Sequence, residues 1–99
     1  MASKEQVFEA AMERWGIKSQ LDMVAEECCE LAVVALKIYR ANNGRNTDNL
    51  AEEMADVELC LEQICNYFDL REQIDGWKDK KLRRLAYLIE STNPNKEKG

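Results

Sequence analysis

Apolar residues recur along this chain at intervals of three and four rather than two, which is the spacing of helices with one buried face. Four helices are predicted: A over about 3–15, B over about 19–41, C over about 48–68 and D over about 70–90. Gly16 is expected to separate A from B, because glycine is a poor helix former. The pattern therefore predicts an all-α fold, a four-helix bundle.

Polar residues mark the expected ends of these helices. Residues 42–47 have the composition of a loop. Asp48 is a plausible N-cap for helix C, and residues 69–72 resemble a capping box in which Asp69 replaces the usual Ser or Thr. We expect one domain over residues 1–91, followed by a polar, disordered tail over 92–99.

Projected at about 100° per residue, helices B and C each show one apolar stripe. The stripe of helix B consists of Met23, Val24, Leu31, Val34 and Ile38, and that of helix C of Leu50, Val57, Cys60, Leu61, Ile64 and Phe68. Each stripe also carries acids. Glu27 and Glu53 fall at the two centres, and Glu30 and Asp56 at the two edges. Both helices thus have carboxylates on the face that should be buried.

Buried carboxylates are costly unless something compensates their charge. Residues three apart on a helix project to the same side, so two antiparallel helices would bring the two acidic pairs together. Four carboxylates form a set of hard oxygen ligands suited to Mg2+ or Mn2+. The competing interpretations are solvated acids and pairing with basic residues. A di-iron site is disfavoured because such bundles use histidine ligands, and the chain has no histidine.

Helix D carries cations on its predicted inner face. Lys81 lies at the centre of that face and Arg84 at its edge, and the apolar residues around them are Ile74, Trp77, Leu85 and Leu88. Lys81 could balance the buried acids in an internal salt bridge, or it could contact phosphate oxygens. The sequence pattern favours neither role over the other.

Charge and composition exclude several classes of protein. A net charge of −5 argues against a surface for DNA or RNA, which needs a basic footprint. No apolar run reaches membrane-spanning length and the first residues lack the core of a signal peptide, so we expect a cytoplasmic protein without a membrane partner. The four cysteines form no C-x-x-C pair, which disfavours structural zinc and favours reduced core residues.

The acidic residues also carry a resemblance. The run EECCEL at 26–31, a polar loop and then EEMADV at 52–57 resemble the E-E-x-x-E…E-x-x-D motif of the MazG-like all-α nucleoside triphosphate pyrophosphohydrolases. The lead-in Trp15-Gly16 with Gln20 and the basic run KLRRL at 81–85 are also similar to that family. The resemblance covers roughly residues 8–88. The cysteines at 28 and 29 depart from it, because small or aliphatic residues are commoner there.

The resemblance implies a reaction, a cofactor and roles for individual residues. A nucleoside triphosphate would be cleaved to a nucleoside monophosphate and pyrophosphate, with Mg2+ or alternatively Mn2+ as cofactor. The reaction could serve nucleotide pool sanitation or control of a signalling nucleotide. Four roles follow: Glu27, Glu30, Glu53 and Asp56 as metal ligands, Glu26 or Glu27 as catalytic carboxylate, Lys81 and Arg84 as phosphate contacts, and Trp15 and Gln20 as base contacts. A homodimer or homotetramer is also implied.

Two alternatives remain open at this stage. One is a related pyrophosphohydrolase with another substrate, such as phosphoribosyl-ATP. The other is a non-catalytic helical module that binds nucleotides or regulates a partner and keeps the acids for structure. Release of pyrophosphate in the presence of Mg2+ distinguishes catalysis from binding, and a panel of nucleotides distinguishes the substrates.

Overall fold

The computed structural model describes residues 2–40 and 47–92, and these ranges contain helices and no strand. Helix α1 spans Lys4–Lys37, α2 spans Thr47–Phe68 and α3 spans Arg71–Ser91. The predicted all-α class is confirmed. Within the described ranges, none of the helices has a stretch both long and apolar enough to cross a bilayer.

Helix α1 contains both predicted helices A and B. It begins with a capping box, in which Ser3 Oγ accepts a hydrogen bond from the Gln6 amide at 3.1 Å and Gln6 Oε1 accepts one from the Ser3 amide at 2.8 Å. At Gly16 the backbone leaves the helical conformation, with φ 82° and ψ 161°. The predicted break is confirmed, and glycine suits it because a positive φ strains other residues. We call residues 4–15 segment A and residues 17–37 segment B.

Segment B differs from the prediction at both ends. It resumes at residue 17 instead of 19, because only Gly16 departs from helical geometry. It ends at Lys37 instead of 41, and the backbone turns over residues 38–40. The predicted loop lies, except for Thr47, outside the described residues, as does the tail from residue 93 onward.

Two of the predicted helix caps are wrong. Helix α2 begins at Thr47, which places Asp48 in the first turn, where its charge still favours the helix dipole. Asp69 adopts φ 55°, the left-handed conformation that commonly follows the last residue of a helix. It therefore ends α2 instead of capping α3. Leu70 occupies the N-cap position of α3 and makes no side-chain cap hydrogen bond.

The chain separates into two compact units, residues 1–68 and 69–99. In the first unit, α1 packs against α2, and an ion pair of 3.3 Å between Lys4 Nζ and Glu62 Oε2 joins the start of segment A to the C-terminal part of α2. The predicted count of one domain stays a prediction.

The core of the first unit is small. Phe8 and Cys65 are the buried apolar residues among those described, and Gln20 and Gln63 are the buried polar ones. The predicted stripes are half-buried or exposed instead of fully buried. Their half-buried members are Val24, Leu31, Val34, Ile38, Leu50, Val57, Cys60 and Ile64, and their exposed members are Met23, Leu61 and Phe68. Much of the apolar surface of these two helices thus remains open.

The four cysteines are free thiols, but they do not all lie in the core. Cys65 is buried and Cys60 is half-buried, in line with the expected packing role. Cys28 and Cys29 are exposed. The reason is helical geometry, because positions one and two residues past Glu27 turn away from the face that Glu27 occupies.

In the second unit, α3 has no buried residue over its described length. Ile74 is half-buried, whereas the other three members of its predicted apolar stripe are exposed. Ion pairs one turn apart, Arg71 with Asp75 and Arg83 with Asp79, lie along its surface. The expectation of a buried inner stripe on this helix is therefore not met within the single chain.

Candidate metal centre

Three carboxylates of the first unit come together as an acidic cluster. Glu27 and Glu30 lie one turn apart on segment B, and Glu53 lies on α2. One oxygen from each of these carboxylates lies within 4.8 Å of the others. The predicted meeting of acids from two packed helices is thus seen for these three residues.

One oxygen of Glu27 and one of Glu53 lack a hydrogen-bond partner among the described residues. Glu27 and Glu53 are half-buried, and the Oε2 atom of each is shielded from solvent and accepts no hydrogen bond. Glu30 is exposed, so the cluster opens to solvent on its side. A buried carboxylate oxygen without a donor is unfavourable, and a proton or a cation would relieve it. The residues present therefore fit a hard divalent cation.

The electrostatics of the cluster support the same conclusion. Burial raises the pKa of Glu27, and the negative charges of Glu30, Asp56 and Glu53 raise that pKa further. Burial likewise raises the pKa of Glu53, followed by the charges of Glu30, Asp56 and Glu52. Hydrogen bonding with Glu30 favours the protonated form of both. When all of its carboxyls are ionised, their negative charges repel one another. A cation that binds there therefore competes with protons for the carboxylate oxygens.

Asp56, the fourth predicted ligand, is near the cluster without being one of its three members. Its side chain is half-buried, and its charge acts on both Glu27 and Glu53. The structure therefore does not bring Asp56 into the set of three carboxylates, and its role as a ligand stays a prediction.

Cys60 also borders the acidic cluster, which the sequence analysis did not anticipate. Burial raises the pKa of its thiol, and the charges of Glu27, Asp56 and Cys28 raise it further. Cys60 thus lies beside the three carboxylates without being one of the residues that meet there. The signal was present in the sequence, because Cys60 lies four residues beyond Asp56 and thus on the same helix face.

Glu26, the candidate catalytic carboxylate, is exposed. It neighbours Glu27 in sequence, but a step of one residue along a helix rotates the side chain by about 100°. The structure does not place Glu26 among the three carboxylates that meet. Any role for it would be at the outer side of the cluster.

The predicted substrate contacts have very different surroundings. Trp15 is 61% exposed, whereas Gln20 is only 9% exposed. The two residues lie on opposite sides of the Gly16 break, one in segment A and one in segment B. Their joint role as a base-binding surface stays a prediction.

Lys81 and Arg84 belong to the second unit, where both are exposed. The Nζ atom of Lys81 lies 5.9 Å from the centroid of the Trp77 ring, and Nζ of Lys80 lies 5.0 Å from it. Trp77 therefore contacts two ammonium groups in cation–π geometry. Lys81 and Trp77 lie four residues apart, so helical spacing predicts a shared face but not this cation–π contact.

Comparisons of the chain with protein-family models, with curated proteins and with solved structures found no match. Any functional conclusion must therefore come from the residues themselves. The acidic cluster is the strongest indication of a function, because two of its buried oxygens accept no hydrogen bond from the described residues.

Proposed function

We propose that this chain is a Mg2+-dependent nucleotide pyrophosphohydrolase of the MazG-like type, which cleaves nucleoside triphosphates to nucleoside monophosphate and pyrophosphate. The observation that carries the proposal is the pair of buried, unpartnered oxygens, Glu27 Oε2 and Glu53 Oε2, in the acidic cluster. The motif resemblance supplies the choice of reaction.

In this proposal Glu27, Glu30 and Glu53 hold the divalent cation, and Asp56 completes the ligand set. Mn2+ is the alternative ion, since it also prefers oxygen ligands. The bound cation supplies charge neutralisation for the phosphates and makes water a better nucleophile near neutral pH. Exposure of Glu30 leaves the cluster open on the side from which phosphates would approach.

The chain's own residues would then orient the substrate and accept a proton. Glu26 is the proposed proton acceptor, because it is an exposed carboxylate directly beside the ligand Glu27. Lys81 and Arg84 are the proposed phosphate contacts, since exposed ammonium and guanidinium groups make charge-assisted hydrogen bonds to phosphate oxygens.

We further propose a four-helix subunit that works as a homodimer or homotetramer. The thin core supports this, because Phe8 and Cys65 are the buried apolar residues of the described chain, while many large apolar residues are exposed. Exposed apolar surface on this scale is typical of association. Sedimentation that shows a fully active monomer at assay concentration would contradict the assembly.

The reaction is tested by pyrophosphate release from a panel of nucleoside triphosphates and phosphoribosyl-ATP, with Mg2+ and with EDTA. We expect release that depends on Mg2+ and is lost in EDTA. The test variant is Glu53→Gln. Its matched control is Glu62→Gln, because Glu62 also lies on α2 but outside the acidic cluster. Nucleotide binding without turnover would reject the enzyme and favour the non-catalytic alternative.

A further inference from the structure

Segment B carries a second row of apolar residues, on a different side from the one that packs against α2. Its members are spaced by three or four residues, and they are Leu21, Ala25, Cys28, Ala32 and Leu36. Projected at about 100° per residue, the row is centred about 140° around the helix from Glu27, and the charged residues between Leu21 and Leu36 project outside it. All five members are exposed. Segment B therefore has an apolar, uncharged row that stays exposed in the described chain.

Helix α2 carries a matching row. It consists of Met54, Leu61 and Phe68, which follow one another at intervals of seven residues and are all exposed. These three residues project about 60–100° around the helix from Glu53, and Glu58 lies at the outer edge of their row. Because two turns of a helix take about seven residues, side chains at this interval lie along one side.

The two rows lie on the same side of the helix pair. Glu27 and Glu53 meet where the helices pack, so both offsets are counted from that contact. The later part of α1 meets the earlier part of α2 in the acidic cluster, whereas Lys4 near the start of α1 pairs with Glu62 near the end of α2, so the helices are antiparallel. Antiparallel helices seen from one end count residues in opposite senses, so offsets of the same sign fall on one side of the pair. We call the two rows together the uncharged face.

The uncharged face lies away from the opening of the acidic cluster. Glu30 projects about 160° from the centre of the row on segment B, which is nearly the opposite side of the helix. A molecule bound on the uncharged face would therefore leave the exposed side of the cluster, at Glu30, accessible.

The size of the uncharged face suits an interface between proteins. Its five largest side chains are 44–66% exposed: Leu21, Leu36, Met54, Leu61 and Phe68. Half of a large apolar side chain is on the order of 100 Å2, so these five expose about 500 Å2, and the smaller residues between them add to that area. Monomers rarely expose a larger apolar patch, and a standard interface takes about 800 Å2 from each partner. The face is therefore large enough to form most of such an interface.

Charge favours a second copy of this chain as the occupant. Residues 1–68 carry 6 basic and 13 acidic side chains, a net charge of 6 − 13 = −7. Two copies that met through a charged side of this unit would bring acids against acids, which costs free energy. The uncharged face lets two copies meet without that cost. The same net charge disfavours an anionic membrane or a nucleic acid as the occupant.

We infer that the uncharged face is the contact surface between two copies of this chain, with α1 and α2 of one copy packed against α1 and α2 of the other. The inference extends the assembly proposed above by naming the surface, and it does not depend on the reaction. In the contact, the small side chains of Ala25, Cys28 and Ala32 let helices of the two copies approach closely. The same patch serves both copies, as in other two-fold dimers.

The first test compares two leucines of α2. Leu61 lies on the uncharged face and is 48% exposed, whereas Leu59 is 52% exposed and projects about 160° away from Leu61. Leu61→Glu places an unpaired charge from each copy in the contact, so we expect the dissociation constant of the assembly to rise about 100-fold or more. Leu59→Glu is the matched control, which adds the same charge and should change that constant by less than about threefold. Sedimentation over a range of concentrations measures both.

Cys28 gives a second readout that needs no change on the uncharged face. In the variant Cys29→Ser, Cys28 is the exposed thiol of the described chain, since Cys60 is half-buried and Cys65 is buried. Its reaction with a bulky thiol reagent should be about tenfold or more slower in the assembly than after dilution to monomers. This measurement decides the matter if Leu61→Glu does not fold.

Several results would overturn the inference. One is a chain that sediments as a monomer at assay concentration, including a monomer whose own residues protect Cys28. Equal effects of Leu61→Glu and Leu59→Glu, including no effect of either, would place the contact elsewhere, as would an assembly in which Cys28 reacts freely.

The proposed reaction is judged separately from the uncharged face. Self-association through this face without release of pyrophosphate would keep the face and reject the enzyme. Release of pyrophosphate by a monomer in the presence of Mg2+ would keep the enzyme and overturn the face.

Discussion

The first unit holds two kinds of carboxylate that differ in their partners. Glu62 and Asp22 are outer acids, each within about 3 Å of a lysine: Glu62 is 3.3 Å from Lys4, and Asp22 is 3.1 Å from Lys18. Glu27 and Glu53 are inner acids, half-buried, each with an oxygen that has no partner. Among the described residues, lysines thus lie beside acids that water already solvates, whereas the half-buried Glu27 and Glu53 form no ion pair there.

That distribution is the reverse of what stability alone would favour. Exposed ion pairs contribute about 0–1 kcal/mol, because water screens the charges and the side chains lose freedom. Buried acids gain far more from a counter-charge, since they have lost hydration. In the proposed function, the inner acids bind a cation from outside the chain, whereas the outer ones contribute only modest stabilisation.

The largest expected effect comes from removing one inner charge. Glu53→Gln should abolish the stabilisation by Mg2+ that the proposal predicts for the parent protein, about 2.7 kcal/mol when free Mg2+ is a hundredfold above Kd. Pyrophosphate release should fall on the order of 100-fold or more, because ligand changes cost at least as much as changes around them. Thermal melting with and without Mg2+ and the hydrolysis assay measure both.

Glu62→Gln is the control for that experiment. It should change the free energy of unfolding by less than about 1 kcal/mol and leave the response to Mg2+ intact. The distinction between inner and outer acids would be contradicted if millimolar Mg2+ left the melting temperature of the parent unchanged. It would also be contradicted if Glu53→Gln and Glu62→Gln weakened the response to Mg2+ equally.

The cations of α3 give the next effect. Lys81→Met should leave melting and the Mg2+ response nearly intact and weaken the use of triphosphate roughly 10- to 100-fold, the scale of one charge-assisted contact of about 1.5–3 kcal/mol. Lys80→Met is the matched control, since Lys80 contacts the same Trp77 ring. A large fall in melting temperature with unchanged kinetics would instead make Lys81 the counter-charge for the inner acids.

The smallest effect is on the pH dependence of stability. The raised pKa values of Glu27 and Glu53 mean that the folded, metal-free protein binds protons more tightly than the unfolded chain. The stability that comes from this tighter proton binding is therefore fully present below the pKa of the unfolded chain. It is lost as the pH rises through the pKa of the folded protein. Relative to Glu27→Gln, the metal-free parent should gain stability on going from neutral to mildly acidic pH. The raised pKa values would be contradicted if melting curves in EDTA showed the parent losing stability relative to Glu27→Gln as the pH falls.

Much of the fold could be predicted because helical periodicity is a local property. It predicted the inner position of Glu27 and Glu53, and the poor helix propensity of glycine predicted the break at Gly16. The helix caps were less predictable. A short polar residue such as Asp69 can end one helix or begin the next, and the choice depends on a backbone angle that the sequence does not reveal.

The parts of the site that escaped prediction depend on contacts between distant residues. A groove of the first unit is lined by residues within 8–13 and within 63–67. Periodicity within one helix cannot predict that these two segments meet. Gln63 alone reads as an ordinary helical glutamine, and only its burial shows the unpartnered amide. Lys81 was placed on an inner stripe because apolar residues flank it, yet α3 exposes that stripe within the single chain.

The backbone at Gly16 affects whether segment A packs against α2 of its own chain or against that of a second copy. A continuous helix over the 34 residues of α1 would extend about 50 Å and carry segment A away from its own α2. The kink between segments A and B depends on a φ of 82°, which strains any residue with a side chain even though space is open around this one. A chain that straightened here could recover the same packing only by exchanging segment A with a second copy. Gly16 therefore favours packing of segment A against α2 of the same chain.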